Sequence, residues 1–204
     1  MRSIDLGLPS GTKWASMNVG AESPEGYGNY YAWGEIEPNK ASAYTPENYK
    51  FYDSATSSVT KYNNTDNKMT LDLEDDVAKV VMGGEWHMPT SAQCAELIHN
   101  TTSSWTTDYE GTGVAGAIFA SNKNRNSIFF PSAGIVFQDG SVGQGEWFEV
   151  WSSSRNSNPG SACDVGGDAG GCSLNTSTYY FGFPTRGVLG ELNDYNPGGG
   201  GEAV

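Results

Sequence analysis

A chain of 204 residues with 27 glycines, 11 tyrosines and 6 tryptophans can build one folded core, and so many aromatics exclude a disordered chain. Its net charge of −13, with only 11 Lys and Arg scattered along it, excludes nucleic acid and anionic membrane surfaces as partners, because both demand a concentrated basic patch. No apolar run reaches membrane-spanning length, and Met1-Arg2-Ser3-Ile4-Asp5 does not read as a signal peptide, so an extracellular location would need an export signal on a longer parent chain, lysis, or carriage on a virion.

In chain order, Pro9-Ser10-Gly11 reads as a turn, and the alternation over 12–19, with Trp14 and Ser16 opposed to Lys13 and Ala15, predicts a strand. Tyr30-Tyr31-Ala32-Trp33 is a short aromatic strand between Gly28 and Gly34. Residues 38–67 form a long polar excursion, expected mostly on the surface. A first helix follows, with Asp72 as its cap and Val77, Val80 and Val81 as its apolar face. Glu74, Asp75 and Asp76 complement its positive end, which explains the acidic run without a metal. Gly83-Gly84 stops it. After the buried link Glu85–Pro89, Thr90 and Gln93 form a capping box for a second helix whose inward residues are Cys94, Leu97 and Ile98. Strands are expected at 114–119 and at 127–131. Ile135-Val136-Phe137, the turn dipeptide Asp139-Gly140 and the stretch Trp147 to Trp151 read as a hairpin with a longer loop. Trp14, Trp33, Trp86 and Trp151 are core residues on this reading. One domain spans 1–192, and the Gly-rich 193–204 is a flexible tail.

The stretch from Trp151 to Val188 stands apart. Its ends carry core anchors (Trp151, Phe183, Val188), while its middle mixes Tyr, Ser, Gly and Asn, the composition of an irregular contact surface on a rigid frame. From Ser152 to Val188 there is no Lys, Glu, Met, Gln or Trp, types that make up about one residue in five elsewhere. Those are the five types that no pyrimidine-ending codon encodes. Two readings follow: a segment rewritten by adenine-directed mutagenesis, or a Gly/Ser/Asn-rich loop that lacks long side chains anyway. Cys94 falls in the second helix and reads as a small buried residue. Cys163 and Cys172 could clip the loop between them in an oxidising compartment.

The order of several motifs is itself informative. Asp5-Leu6-Gly7-Leu8-Pro9-Ser10-Gly11-Thr12-Lys13-Trp14-Ala15, Tyr27-Gly28-Asn29-Tyr30-Tyr31-Ala32-Trp33-Gly34-Glu35, Gly83-Gly84-Glu85-Trp86-His87-Met88-Pro89-Thr90, Ile128-Phe129-Phe130-Pro131-Ser132-Ala133-Gly134 and Trp151-Ser152-Ser153 resemble the fibrobacter-type major paralogous domain in its own order, over roughly residues 4–188. The resemblance implies an α+β, C-type lectin-like fold: two helices packed on small antiparallel sheets, with much irregular loop. It also places the chain near the formylglycine-generating enzymes and the variable proteins of diversity-generating retroelements. Gly182-Phe183-Pro184-Thr185-Arg186-Gly187-Val188 resembles the end of a variable repeat in the latter.

The function expected from these readings is ligand display by residues 154–180, within a larger bacterial-surface or virion assembly, to a cell-surface protein or glycan. The contact residues would be Trp147, Phe148, Arg155, Asn156, Asn158, Asp164, Asp168, Asn175, Thr176, Ser177, Thr178, Tyr179 and Tyr180. Tyr179 and Tyr180 would be the aromatic anchors, removable together without loss of the fold. No cofactor, metal or catalytic residue is expected, since Asp164 and Asp168 lack the close spacing of a calcium loop. A structural decoration domain is the alternative. An enzyme of the formylglycine-generating type is a weaker one, because nothing local activates His87, His99, Cys163 or Cys172.

Overall fold

The computed structural model describes residues 1–40 and 43–191, which form an α+β architecture of two helices and several small antiparallel sheets. The tail expected at 193–204, and with it the domain end at 192, lies outside the described residues. In chain order the elements are β1 (Ser3–Asp5), β2 (Lys13–Ala15), β3 (Tyr52–Asp53), β4 (Ser58–Val59), α1 (Val77–Met82), α2 (Ser91–Asn100), β5 (Thr101–Thr106) and β6 (Gly116–Ser121). Then come β7 (Ser127–Pro131), β8 (Ile135–Phe137), β9 (Gly140–Val142), β10 (Phe148–Arg155), β11 (Ser161–Asp168), β12 (Gly171–Thr178) and β13 (Val188–Leu189).

The sheet β1-β2-β13 joins the two ends of the fold, with Val188 opposite Trp14. β2 ends at Ala15, short of the expected 12–19, because the backbone there turns to bond a different stretch: Ala15 N–H donates to Gly187 O and Val19 N–H to Thr185 O. The aromatic run at 30–33 makes one strand-type bridge, Tyr31 to Phe183, and Trp33 N–H donates to Tyr179 O (2.8 Å). Both expected strands at 114–119 and 127–131 are found, as β6 and β7 of the sheet β5-β6-β7, with the first shifted two residues on.

Two aromatic-rich clusters fill the interior. One gathers Trp33, Tyr49, Phe51, Tyr62, Trp151, Tyr179 and Phe183, and the other Trp14, Leu97, Phe119, Phe130, Phe148 and Val165. The excursion at 38–67 runs mostly over the surface, as expected, but its rings Tyr44, Tyr49, Phe51 and Tyr62 turn inward and are buried. Tyr62 is held at φ +59, an unusual value for a bulky residue. Its N–H donates to Asp66 Oδ2 (2.6 Å), and its hydroxyl donates to Asp75 Oδ2 (2.6 Å) and accepts from the Asp72 N–H (2.9 Å). Those bonds offset the backbone strain.

α2 is as expected, with the Thr90–Gln93 capping box and with Cys94 and Leu97 fully buried. α1 differs. Asp76, not Asp72, caps it by accepting from Lys79 N–H (2.9 Å). Val77 and Ala78 are buried and Met82 is partly so, while Val80 and Val81 remain 47% and 55% exposed, because this helix of six residues turns them away from the core. Gly83, at φ 68, ends it as expected. Trp14, Trp33 and Trp151 are fully buried, but Trp86 is only half-buried, lying over Gly187 beside Met82.

β8 and β9 close a hairpin across Gln138 and Asp139, with Gln138 at φ +55. β10 is not its partner strand. It opens instead the meander β10-β11-β12, three strands of eight residues each. The stretch 152–178 is thus mostly regular sheet, where an irregular surface was expected.

Candidate functional site

Side-chain alternation sorts the meander residues into two faces. Partners across the ladder share a face, so Trp151, Asp164 and Asn175 stand together, as do Val150, Val165 and Leu174. The Trp151 face is covered at its centre by the first aromatic cluster, which takes in Trp151 and Ala162. It emerges on either side of that cover as a groove.

The first groove, about 600 Å³, lies between the hairpin β3–β4 and the residues that join and follow the meander strands. Tyr49 and Tyr179 form its floor, both committed to the frame: Tyr49 Oη donates to Trp33 O (2.8 Å) and Tyr179 Oη to Tyr62 O (3.1 Å). Burial raises the pKa of both phenols, so each stays a neutral donor. Tyr52, Ser57, Thr65, Thr178 and Tyr180 line it with hydroxyls that take no partner among the described residues, and Pro46, Ser58, Val59, Asn63, Pro159 and Gly160 complete it. None of these lining side chains carries a charge, although the chain as a whole is strongly acidic. A neutral groove with two partly exposed tyrosine rings and a rim of hydroxyls suits a neutral polyol stacked on a ring.

The second groove lies at the far end of the sheet, bounded by Trp147, Glu149, Gly166, Asp168, Ser173 and Asn175.

The expected contact residues divide accordingly. Thr178 and Tyr180 reach the first groove, and Trp147, Asp168 and Asn175 the second. Asn156 and Thr176 pair with each other across the sheet edge (2.9 Å), Asn158 stays exposed nearby, and Ser177 is half-buried opposite Ala162. Four expected contacts are buried instead. Phe148 packs among Phe119 and Phe130, since the residue beginning β10 points to the opposite face from Trp151. Arg155 ties the excursion down, through its N–H to Met69 O (2.7 Å) and its guanidinium to Asn64 Oδ1 (3.3 Å). Tyr179, 1% exposed, stacks flat on Trp33 at 4.5 Å and 19°. Asp164 is wholly buried beside Trp151. The residues missed by sequence reading are Tyr52, Ser57 and Thr65 of the excursion and Glu149 of β10, none of which carries a local motif.

Among the described residues, Asp72, Glu74 and Asp75 converge closely enough to hold a metal ion. The Lys61 ammonium already stands against all three, at 2.8, 3.3 and 2.6 Å. That cation occupies the point where the three converge; with Lys68 it holds the Asp72 carboxyl below its usual range, and Lys50, Lys61 and Tyr62 outweigh burial to do the same for Asp75. Cys163 and Cys172 are free thiols. In the ladder Cys172 faces Gly167, four residues along β11 from Cys163, a separation of about 13 Å. A disulfide spans at most about 7 Å between Cα atoms, so the expected clip cannot form in this register. His87 sets its two ring nitrogens against Met88 O (2.8 Å) and Gly190 O (2.9 Å), tying the link before α2 to the end of the fold. No helix among the described residues is long and apolar enough to cross a membrane. No family model matches the chain, and no curated protein or solved structure matches it.

Proposed function

We propose that this chain is a ligand-display module of the C-type lectin-like kind, set in a larger extracellular surface or virion assembly, and that its first groove takes a neutral glycan of a cell surface. One observation carries the reading. Residues of the Trp-, Lys- and Glu-free stretch (Pro159, Gly160, Thr178, Tyr180) meet the β3–β4 hairpin at a neutral, tyrosine-lined groove with uncommitted hydroxyls. Tyr52 and Tyr180 would each offer a ring face to a sugar, while Ser57, Thr65 and Thr178 would bond its hydroxyls. Truncating such an aromatic at a contact centre costs about 2 kcal/mol, roughly a 30-fold loss of affinity.

The test is a glycan array probed with the labelled protein and with its Tyr52→Ala and Tyr180→Ala variants. The glycans bound by the native chain should be lost in both variants at unchanged melting temperature. Native binding retained in both would place the contact surface elsewhere and overturn the proposal.

A further inference from the structure

The second groove holds an arrangement that ligand display does not use. Asp164 projects from the middle strand of the meander, is 0% exposed, and neither of its carboxylate oxygens has a hydrogen-bond partner. A buried carboxylate without a donor costs several kcal/mol unless a proton or a cation joins it. Among its polar neighbours only a protonated Glu149 could supply that compensation in place of a cation. Glu149, on the adjoining strand, is a second carboxylate, and Asn175 and Ser177 stand near enough to bias its ionisation but make no bond of normal geometry to it. Burial, reinforced by the neighbouring acid, pushes the Glu149 carboxyl far up, and burial also raises that of Asp164. No lysine or arginine lines the groove.

Local geometry keeps the two carboxylates together. A Cβ at Gly166 would stand 1.9 Å from Glu149 Oε2, so the glycine leaves room for the carboxylate to lie across β11. Ladder register puts Asn175 directly opposite Asp164, with its Nδ2 3.5 Å from Glu149 Oε2. Turning that amide over would present its Oδ1 in the same direction.

We propose that Glu149 and Asn175, which line the second groove, and Asp164, buried behind them, bind a hard divalent cation of calcium size. The donors are oxygens only, two of them carboxylate groups, and the groove side stays open for the waters that would complete six to eight ligands. Neither histidine reaches the site and zinc prefers nitrogen and sulfur, so the donor set selects the larger, harder ion. The proposal does not depend on the glycan groove, which lies at the other end of the sheet.

Terbium is a fitting probe, since the Trp147 indole bounds the same groove and can sensitise its emission. At neutral pH the native chain should show tryptophan-excited terbium luminescence that calcium competes away. Calcium at roughly 100-fold over its dissociation constant should raise the melting temperature by about 5–10 °C. Asp164→Asn and Glu149→Gln should each abolish both responses. In calcium-free buffer each should melt at or above the native temperature, because each keeps the shape of the side chain it replaces and carries no charge into the buried site, so lost binding cannot be blamed on unfolding. Asp72→Asn, in the lysine-filled cluster, should leave both responses intact. The proposal fails if calcium shifts nothing in the native chain, which would leave the two acids sharing a proton. It fails equally if the responses survive Asp164→Asn.

Discussion

Adjacent tyrosines at the end of the meander offer a sharp test of which side chains are frame and which are surface. Tyr179 is 1% exposed, lies flat on Trp33 at 4.5 Å, tilts against Tyr49 at 5.9 Å, and donates its hydroxyl to Tyr62 O at 3.1 Å. Tyr179→Ala removes a buried ring, about 3–5 kcal/mol. It also leaves the Tyr62 carbonyl without its partner, a further ~1 kcal/mol or more. These terms overlap, so about 4 kcal/mol is a fair lower figure, large against the 5–15 kcal/mol typical of a whole domain. At roughly 2–4 °C per kcal/mol for a chain of this size, the melting temperature should fall by about 8–16 °C. Tyr179→Phe keeps the stack and loses only the hydroxyl bond, about 1 kcal/mol, hence about 2–4 °C. Tyr180 is half-buried, with its ring edge-on to Phe181 at 5.2 Å. Removing it should cost about 0.5 kcal/mol, or under ~2 °C. Thermal unfolding followed by near-ultraviolet circular dichroism reads all three variants on one scale. Equal melting of Tyr179→Ala and Tyr180→Ala, or a native-like Tyr179→Ala, would refute the placement of Tyr179 beneath the groove.

Acid stability should carry the signature of the buried pair. Glu149 and Asp164 have native pKa values raised, chiefly by burial. The native state therefore holds more protons than the unfolded one between the ordinary carboxylate range, about 4, and the raised values. In calcium-free buffer, stability from this pair falls as pH rises through that window, and the melting temperature of the native chain should drop relative to Glu149→Gln between about pH 5 and 8; parallel curves would disprove the coupling. Asp72 and Asp75, held low by Lys61 and Lys50, act the other way and lose their contribution only as pH falls below about 4. If residues 154–181 were diversified, a near-copy of their coding segment, differing almost only at adenines, should lie beside a reverse transcriptase gene. Genomic sequencing that finds neither, with purine-ending codons in related copies, would return the stretch to ordinary sheet.

Local signals were legible wherever they acted alone. The Thr90–Gln93 box needs only four residues to declare itself, and the apolar run Ile128–Pro131 reads as a buried strand from any side. Signals failed where a neighbour decided the outcome. Asp72 and Asp76 are equally good caps by residue type, and Lys61 and Lys68 draw Asp72 away. Tyr44, Tyr49, Phe51 and Tyr62 have no helical or strand period, so nothing local distinguishes their burial from exposure. The meander hid for a related reason. Its strands carry few large apolar side chains because both faces are covered only in part, and glycines at 166 and 167 make room for Glu149 and for the Cys172 backbone.

The same logic explains how the candidate sites were partly seen. Composition singled out a stretch that contributes residues to both grooves, but composition has no parity. Alternation then puts Phe148 and Glu149, or Cys163 and Asp164, on opposite faces, and only strand pairing says which face meets the core. Tyr179 and Tyr180 show the limit most clearly. They are the same residue type at neighbouring positions, yet the turn closed by Phe181 N–H to Thr178 O sends one ring onto Trp33 and leaves the other beside the groove. The acidic pair is the converse case: Glu149 and Asp164 are remote in sequence, so no loop motif announces them, and they meet only because β10 and β11 pair in this register. A one-residue slip of β11 would turn Asp164 toward Leu97 and Val150 and destroy the second groove. The fate of that buried carboxylate is therefore tied to the register itself, and an ion bound there would stabilise the meander in its present pairing.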